Sequence, residues 1–486
     1  MFSFRSIDCE DNLLMRDGKK VTVKTNGMKQ IGNHNCYLFK KSMDGISDKE
    51  ALDYHADGKP GKTETRARKP ISNAHELSLA YTPGVAAPAR EINKDRWKAY
   101  RYTNKSNLVA VISNGSSVLG LGNIGALASK PVMEGKAMLF KTYADIDAFD
   151  IELSDEEPNK IVSTIQALAP TFGGINLEDI KAPECFYIEE KLRGLLDIPV
   201  LHDDQHGTAV TILAAVLNVC KITGKRAKEL KIVISGAGAA GISTARILCK
   251  SGIEKGQITM IDSKGVINDK RTDLSSFKKE FATGRDEHST AEAMRGADIF
   301  IGLSHGNTLH EEEIMAMNHQ PAIFALANPT PEIPYKLAKH FRPDAIVATG
   351  RSDSPNQINN LIAFPYLFRG ALDTFSTTIN GDMEIAAAHA IAAIAEDGYD
   401  NSNHLPFGNE YIIPHAGDKR LLTEVSSAVA KAAMDSGVAR REIASFKEYK
   451  ATLIARCDNE NFFSKEFLRH RNREHIGNNN GRIEKL

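Results

Sequence analysis

The sequence predicts an α/β protein in which a smaller α/β domain comes first, a doubly wound domain follows, and a helical segment ends the chain. The main observation is an apolar strand at residues 231–235 that runs directly into a glycine-rich turn and then a helix. Three further apolar segments, at residues 297–304, 322–327 and 345–350, alternate with helical stretches, as in parallel sheets. From about Asp382 the pattern is mostly helical.

Composition excludes several classes of protein. The 486 residues are enough for two or three domains, and 42% hydrophobic with 25% charged residues is ordinary for a globular chain. A formal net charge of −1 supplies no basic field, so we expect neither nucleic acid nor a membrane as partner. The six cysteines are scattered, and no apolar run approaches the roughly 20 residues of a membrane helix. With no signal-peptide pattern at the N-terminus, we expect a cytoplasmic location.

The first strongly periodic stretch is a predicted helix at Ala74–Ala80. Pro83 and Gly84 end this helix, which leaves Tyr81 near its terminus. The spacing alone predicts an ordinary tyrosine with its hydroxyl at the surface. The opening 45 or so residues are polar and weakly periodic, and we interpret them as an extension.

A glycine-rich stretch at residues 120–125 also fits the spacing G-x-G-x-x-G, and it follows a predicted buried strand at residues 108–112. Asp145 even stands at the distance expected of an acidic ribose partner. However, a polar turn separates the strand from these glycines, and Pro131 and Gly135 interrupt the predicted helix that follows. We therefore interpret the stretch as a tight turn near a ligand.

Lys136 precedes an apolar run at residues 137–140 that predicts a short strand. A lysine at such a strand edge is usually solvated, so the residue pattern alone assigns it no chemistry. The acidic run at residues 145–157 is likewise typical of a solvated face.

Two pairs of adjacent carboxylates are better candidates for a site. Asn176 can cap a helix whose first turn holds Glu178 and Asp179, and the helix dipole alone would explain acidic residues there. Asp203 and Asp204 come directly after a short apolar strand, at the end where open α/β sheets bind ligands. Glu178, Asp179 and Asp204 together offer three oxygen ligands, which suit Mg²⁺ or Mn²⁺ rather than zinc.

The turn after residues 231–235 has the fingerprint of a Rossmann-type NAD(P)-binding unit. The predicted loop comprises Gly236, Gly238, Ala239, Ala240 and Gly241. Its glycines let the backbone approach a pyrophosphate at the helix N-terminus. The next strand ends at Asp262, which favours NAD through the ribose hydroxyls, whereas Ser263 and Lys264 directly after it suit a 2′-phosphate. The residues alone leave the coenzyme open.

Asparagines follow the later strands of this domain. Asn328 comes after residues 322–327, and Asn359 and Asn360 precede an apolar helix. They are either ordinary caps or amide contacts to nicotinamide and a small acid, and their position at the ligand-binding edge makes the second interpretation competitive.

Seven segments together resemble malic enzymes of the short bacterial type. They are residues 81–86, 113–136, 170–186, 202–208, the Gly236 loop, 327–329 and 349–365. The resemblance implies an NADP-dependent, oxaloacetate-decarboxylating malate dehydrogenase, which converts (S)-malate to pyruvate and CO₂ with a metal ion. The turn Ser113-Asn114-Gly115 is similar to that of the NADP-preferring branch, while Asp262 keeps NAD as an alternative.

The resemblance also implies a domain organisation. It gives an N-terminal extension at 1–46, a substrate and metal domain at 47–205, an NAD(P)-binding domain at 206–450, and a C-terminal tail at 451–486. It further implies a homodimer or homotetramer. Some longer relatives carry a phosphotransacetylase-like C-terminal domain, and we expect none in this chain.

Individual roles follow from the same resemblance. The catalytic residues it implies are Tyr81 as general acid, Lys136 as general base and Asp203 as the acid beside the lysine. The metal ligands it implies are Glu178, Asp179 and Asp204. The substrate or nicotinamide contacts it implies are Asn328, Asn359 and Asn360. Ser117 departs from the larger members, which have an arginine there that contacts the substrate carboxylate.

The chemistry requires a neutral lysine to accept the proton of the malate C2 hydroxyl. An unperturbed lysine has a pKa of about 10.4, which a nearby cation or burial lowers. Two alternatives stay open beside this function. One is a metal-dependent decarboxylating dehydrogenase of another 2-hydroxy diacid, and the other is a nucleotide-sensing binding protein without turnover.

Overall fold

The computed structural model describes residues 13–16, 19–22, 47–118, 120–155, 157–398 and 406–458. The chain divides into two units, Met1–Gly45 and Ile46–Leu486. In the first unit, strands β1 (Leu13–Arg16) and β2 (Lys19–Thr22) pair antiparallel, although the sequence pattern predicts no element there. The rest of the predicted extension, and the predicted tail beyond Asp458, lie outside the described residues.

The second unit begins with short helices that have no buried residue. They are α1 (Asp48–Ala56), α2 (Ala74–Ala80), α3 (Ala86–Lys94) and α4 (Ala99–Tyr102). The prediction for α2 is confirmed at both ends. Asn73 caps it by accepting the backbone N–H of Glu76 at 2.9 Å, and Tyr81 is its C-terminal cap.

The first sheet of this unit is parallel, with strand order β4-β3-β5-β6. Its strands are β3 (Leu108–Ser113), β4 (Asp147–Glu152), β5 (Gly174–Leu177) and β6 (Val200–His202). The helices between them are α5 (Ala126–Ala144), α6 (Pro158–Leu168) and α7 (Glu184–Leu195). The strand order reverses between β3 and β5, so a crevice forms at the carboxyl ends of these strands, where ligands bind in such sheets.

The predicted strand at residues 137–140 is wrong, because the whole segment belongs to α5. Pro131 does not interrupt the helix: it removes only the hydrogen bond to the Leu127 carbonyl, and Leu127 is 85% exposed. The buried side chains Met133, Ala137 and Phe140 follow a helical spacing. A run of four apolar residues cannot by itself distinguish a strand from a buried helix.

The predicted helix cap at Asn176 is also wrong. Asn176 lies in β5, fully buried between β3 and β6, and the next helix begins only at Glu184. Glu178 and Asp179 therefore follow the carboxyl end of a strand, so the helix dipole does not explain them.

The second sheet has strand order β12-β11-β10-β7-β8-β9, and only β9 is antiparallel. Its strands are β7 (Ile232–Ser235), β8 (Ile258–Asp262), β9 (Gly265–Val266), β10 (Ile299–Gly302), β11 (Ala322–Ala325) and β12 (Ile346–Thr349). The helices that accompany it are α8 (Asp203–Thr223), α9 (Ala239–Lys250), α10 (Ser276–Lys279), α11 (Thr290–Met294), α12 (Glu311–Met315) and α13 (Tyr335–Phe341). The predicted doubly wound arrangement is confirmed.

Helices complete the described chain. They are α14 (Phe364–Asp373), α15 (Gly381–Glu396), α16 (Arg420–Asp435) and α17 (Phe446–Asp458). The boundary at 450/451, which the resemblance implied, falls inside α17, so regular structure continues to Asp458.

Helix α8 leads from the first sheet to the second and packs against α9 and α15. Its length and apolar composition are sufficient for a membrane span, but 61% of its most apolar window is buried within the protein. It also begins with Asp203 and Asp204. Burial between protein layers identifies it as a core helix.

Candidate active site

Three carboxylates converge at the carboxyl edge of the first sheet. Glu178 and Asp179 follow β5, and Asp204 lies in the first turn of α8 directly after β6. One oxygen of each carboxylate lies within 4.8 Å of the others. The backbone N–H of Asp179 donates to Oδ2 of Asp204 at 2.9 Å, and Asp179 adopts a left-handed φ of 52°. The two carboxylate pairs of the sequence thus meet across neighbouring strands.

The electrostatics of this cluster fit a divalent cation. Burial, opposed by Lys136 but reinforced by Asp204, raises the pKa of Glu178 to about 7. Burial and repulsion from Asp204 and Glu178 raise the pKa of Asp179 to about 9. Within the described chain, Oδ2 of Asp179 is buried without a hydrogen-bond partner. A hard cation with oxygen ligands, such as Mg²⁺ or Mn²⁺, would satisfy that oxygen and remove the repulsion.

Lys136 lies beside the cluster, in the middle of α5. Its side chain is only 7% exposed, with Nζ 2.5 Å from Oδ2 of Asp203 and 2.7 Å from Oε1 of Glu178. The nitrogen also lies 4.1 Å from the ring centre of Phe364. Burial acts to lower the lysine pKa, as the chemistry requires, but the attraction of Asp203 and Glu178 outweighs it and raises the pKa. Without a cation at the carboxylates, Lys136 is therefore protonated.

Asp203 connects the lysine to α8. It is fully buried, and burial, opposed by the attraction of Lys136, raises its pKa to about 6. Gly207, one turn later, makes room for it, because a Cβ at Gly207 would lie 1.8 Å from Oδ1 of Asp203 and 3.0 Å from Cβ of Asn360. Asn360 thus lies against the first turn of α8, close to Asp203.

Two glutamates and a histidine near this turn were missed by sequence reasoning. His206 lies 3.0 Å from Glu189 through Nε2 and 2.8 Å from Glu384 through Nδ1. Burial opposes the charged ring, but the two carboxylates outweigh it and raise the pKa of His206 to about 10. The only sequence signal was a histidine close to two aspartates on an otherwise apolar helix; the glutamates come from distant segments.

Tyr81 is not joined to this cluster by a contact among the described residues. Its side chain is 70% exposed at the end of α2. Within the described part of the chain, no hydrogen bond joins its hydroxyl to Lys136 or to the carboxylates. The surface position predicted from spacing is what the structure shows, and its role as a general acid stays a prediction.

The glycine loop leads from β7 into α9, whose N-terminal cap is Gly238. It borders a cleft of about 620 Å³ that is also lined by Asp262, Ser263 and Ser304. The cleft lies where the strand order reverses between β7 and β10, which is the dinucleotide position in such sheets. A Cβ at Gly241 would lie 1.9 Å from the carbonyl oxygen of Gly236, so close packing of the loop requires glycine there.

Gly241→Ala is expected to displace the loop and to lower the free energy of unfolding by about 1–3 kcal/mol, as overpacking does. The displaced loop should bind the coenzyme at least about tenfold more weakly, since a loss of 1.4 kcal/mol in binding raises Kd tenfold. Thermal unfolding and NADPH fluorescence titration measure the two effects. Gly256→Ala is the matched control, because no atom lies within 4 Å of the position that a Cβ would take there. Equal coenzyme affinity in both variants would contradict the assignment of this loop.

The carboxylate of Asp262 is already occupied by side chains of the protein. Arg271 donates to its two oxygens at 2.8 and 3.0 Å, and Nζ of Lys278 lies 2.6 Å from Oδ2. Burial acts to raise the pKa of Asp262, but these hydrogen bonds lower it to about 2. Lys264 donates its backbone N–H to Asp262 at 3.0 Å and its Nζ to Asp273 at 2.8 Å. Arg271 and Lys278 were missed because they follow the strand by 9 and 16 residues.

The other residues predicted for the site lie in different parts of the fold. A Cβ at Gly120 would lie 2.8 Å from the carbonyl oxygen of Asn328, so the turn of the first sheet approaches the loop after β11. Asn359 is a cap, since its side chain accepts the backbone N–H of Leu361 at 2.9 Å. Ser117 is exposed and donates its backbone N–H to the carbonyl of Asp179 at 3.0 Å. The turn after β3 thus touches both Asp179, through Ser117, and the loop after β11, through Gly120.

Comparisons with known proteins agree with this geometry. Residues 205–434 match the family model described as "Malic enzyme, NAD binding domain", and residues 60–157 and 152–193 match "Malic enzyme, N-terminal domain". A probable NADP-dependent malic enzyme of Rickettsia prowazekii is 52% identical over 424 residues, which are 86% of this chain and 55% of the relative. The NAD-dependent malic enzyme of Rhizobium meliloti is 49% identical over 413 residues, which are 83% of this chain and 54% of the relative.

A solved structure extends the similarity to a whole chain. The crystal structure of malic enzyme from Pyrococcus horikoshii is 42% identical, with a TM-score of 0.81, and the match covers 87% of this chain and 98% of that one. The present chain spans about half the length of the two curated relatives described above. The two family models together cover strands β3, β4 and β5, the carboxylates Glu178 and Asp179, and all strands of the second sheet. The chain belongs to the malic enzyme family.

Proposed function

We propose that this protein catalyses the oxidative decarboxylation of (S)-malate to pyruvate and CO₂ with reduction of NADP. The observation that carries the proposal is Lys136, which is buried between Asp203 and Glu178 beside a three-carboxylate cluster. A proton-transfer group, a cation site and a dinucleotide cleft then lie within one unit, which is the set of parts that this reaction needs.

Each side chain of the site has a distinct role in the proposed reaction. A divalent cation held by Glu178, Asp179 and Asp204 would supply a Lewis acid that stabilises negative charge on the substrate oxygen. Lys136 is placed to accept the proton of the C2 hydroxyl. Asp203, hydrogen-bonded to the lysine nitrogen, is placed to take a proton from it in turn. Proton return to C3 by Tyr81 rests on the resemblance alone.

The decisive experiment detects pyruvate and NADPH together from malate and Mn²⁺, with and without EDTA. We expect both products with the metal and neither after chelation. Coenzyme binding without pyruvate would favour the nucleotide-sensing alternative. A panel of 2-hydroxy diacids, followed by absorbance of the reduced coenzyme, tests the other alternative.

The preference for NADP over NAD is supported by the surroundings of Asp262. Arg271 and Lys278 occupy its carboxylate, which is then not free for the ribose hydroxyls that NAD presents. Lys278 also lines the cleft together with Ser263, so a cation and a hydroxyl are available for a 2′-phosphate.

Lys278→Gln is expected to weaken NADPH binding about tenfold or more, because a hydrogen bond to a charged group contributes about 1.5–3 kcal/mol. NADH binding should be unchanged, since Arg271 still donates to both oxygens of Asp262 in this variant. Fluorescence titration with both coenzymes measures the ratio. Lys279→Gln is the control, because Lys279 is the exposed neighbour on the same short helix. An equal loss for both coenzymes would contradict this role of Lys278.

We also propose self-association, as the predicted homodimer or homotetramer. Support comes from the N-terminal helices, whose apolar side chains are exposed at Leu52, Leu77 and Leu79. Light scattering on the purified protein tests it. A cytoplasmic location is likewise a proposal, supported by the free thiols of Cys185, Cys220 and Cys249.

A further inference from the structure

The first turn of α8 is held on both sides by one buried carboxylate. Oε1 of Glu189, on α7, accepts the backbone N–H of His202 at 3.0 Å. Oε2 of the same residue lies 3.0 Å from Nε2 of His206. His202 directly precedes Asp203, and His206 follows Asp204 by two residues. Glu189 therefore binds the chain directly before the two aspartates and again two residues after them.

The second ring nitrogen of His206 extends this contact to another layer of the fold. Nδ1 lies 2.8 Å from Oε1 of Glu384, which is buried in α15. Each ring nitrogen of His206 therefore lies within hydrogen-bond distance of a carboxylate oxygen. Glu189, His206 and Glu384 thus form a bridge that joins α7, α8 and α15, and we name it the Glu189–His206–Glu384 bridge.

The first turn of α8 needs such support. Its N-terminal cap, His202, makes no side-chain capping hydrogen bond, and Glu189 instead fixes the cap residue by accepting its backbone N–H. Asp203 and Asp204 are adjacent in this turn, and Asp204 offers an oxygen within 4.8 Å of those of Glu178 and Asp179. Fraying of the turn would spread these carboxylates apart. The bridge opposes the fraying.

A buried ionic bridge is weak evidence for a contribution to stability, since apolar residues of similar volume often stabilise the folded protein equally well. Its directional contacts are better suited to fixing a geometry. We infer that Glu189 and His206, tethered to Glu384, are positioning residues that hold Asp203 and Asp204 in the arrangement that binds a divalent cation, a role that rests on the proposed function for its use in catalysis.

The experiment measures binding of Mn²⁺ alone, by the EPR signal of the free ion, to the full chain without substrate. Glu189→Gln places an amide against the ring N–H of His206 and is expected to weaken Mn²⁺ binding about tenfold or more, as loss of a partner that orients a ligand does. Glu384→Gln should weaken it in the same direction and less, because Glu384 does not touch His202. Glu190→Gln, the exposed neighbour on α7, should match the unmodified protein.

NADPH binding in the same variants separates positioning from a general loss of structure. We expect it to stay within about twofold of the unmodified protein, well below the 1.4 kcal/mol that a tenfold change represents. Glu189→Gln with an Mn²⁺ affinity equal to that of Glu190→Gln overturns the inference. If Glu189→Gln does not fold, a folded Glu384→Gln with unchanged Mn²⁺ affinity also overturns the inference. If neither variant folds, the inference is overturned as well, because the bridge then serves the fold.

The two proposals fail separately. If the unmodified protein makes no pyruvate but the order of Mn²⁺ affinities holds, the proposed function fails and the positioning role stands. If pyruvate forms and the affinities do not differ, the positioning role fails alone.

Discussion

Lys136→Ala is expected to lower the rate of pyruvate and NADPH formation by about a hundredfold to ten-thousandfold, the range that loss of a general base gives. The buried nitrogen between Asp203 and Glu178 is the group placed to take the hydroxyl proton, and alanine removes it. Stopped assays with saturating malate, Mn²⁺ and NADP measure kcat. NADPH titration should give an unchanged Kd, because Lys136 is not among the residues that line the coenzyme cleft.

This variant also leaves two buried carboxylates without their cation, and removal of one partner of such a pair costs about 3–5 kcal/mol. Lys136→Arg separates this effect from the chemistry, because arginine keeps the positive charge but does not give up its proton at neutral pH. We expect the arginine variant to be more stable than the alanine variant and equally inactive. Lys141→Ala, at an exposed lysine of the same helix, is the control. If Lys136→Ala turns over at nearly the rate of the unmodified protein, Lys136 is not the general base.

Asp204→Asn has the second large expected effect, a loss of Mn²⁺ affinity and of turnover of about a hundredfold. A hard cation binds carboxylate oxygens, and the change removes one charge from the cluster. The amide oxygen still accepts the backbone N–H of Asp179, so the fold of the turn is retained. EPR titration of Mn²⁺ and steady-state kinetics at varied metal concentration measure the two quantities.

The thermal stability of this variant gives a further check on the electrostatics. Because Asp204 raises the pKa of both Glu178 and Asp179 by repulsion, its replacement should leave the melting temperature of the metal-free protein unchanged or higher. Asp382→Asn, an exposed aspartate in the first turn of α15, is the control. Unchanged Mn²⁺ affinity in Asp204→Asn would contradict the metal site.

Two local patterns were sufficient for much of the fold. Strand β7, the glycines after it and the strand ending at Asp262 are all adjacent in sequence, so the βαβ unit is a local signal. Likewise Asp203 and Asp204 directly follow a strand, and the carboxyl end of a strand is a predictable location for ligands. In both cases the features that decide the structure lie within one short stretch.

The surroundings of Lys136 show where sequence reasoning failed. Its contacts are distant in the chain, because Asp203 begins α8 and Glu178 directly follows β5. Its own segment predicts a strand from four apolar residues, whereas the packing that buries one face of α5 makes it a helix. Asp262 is a second case: an acidic residue in the NAD position is occupied by Arg271 and Lys278, whose approach depends on the loop after β9.

The sequence by itself determined the α/β class, the doubly wound coenzyme domain and the family resemblance, because periodicity, glycine spacing and contiguous motifs are local properties. Only the tertiary structure decided that Glu178, Asp179 and Asp204 converge, that Lys136 is buried and charged between carboxylates, and that Glu189, His206 and Glu384 form one bridge. The physical reason is that burial and the distances between charges set pKa values and coordination, and both depend on segments far apart in the chain.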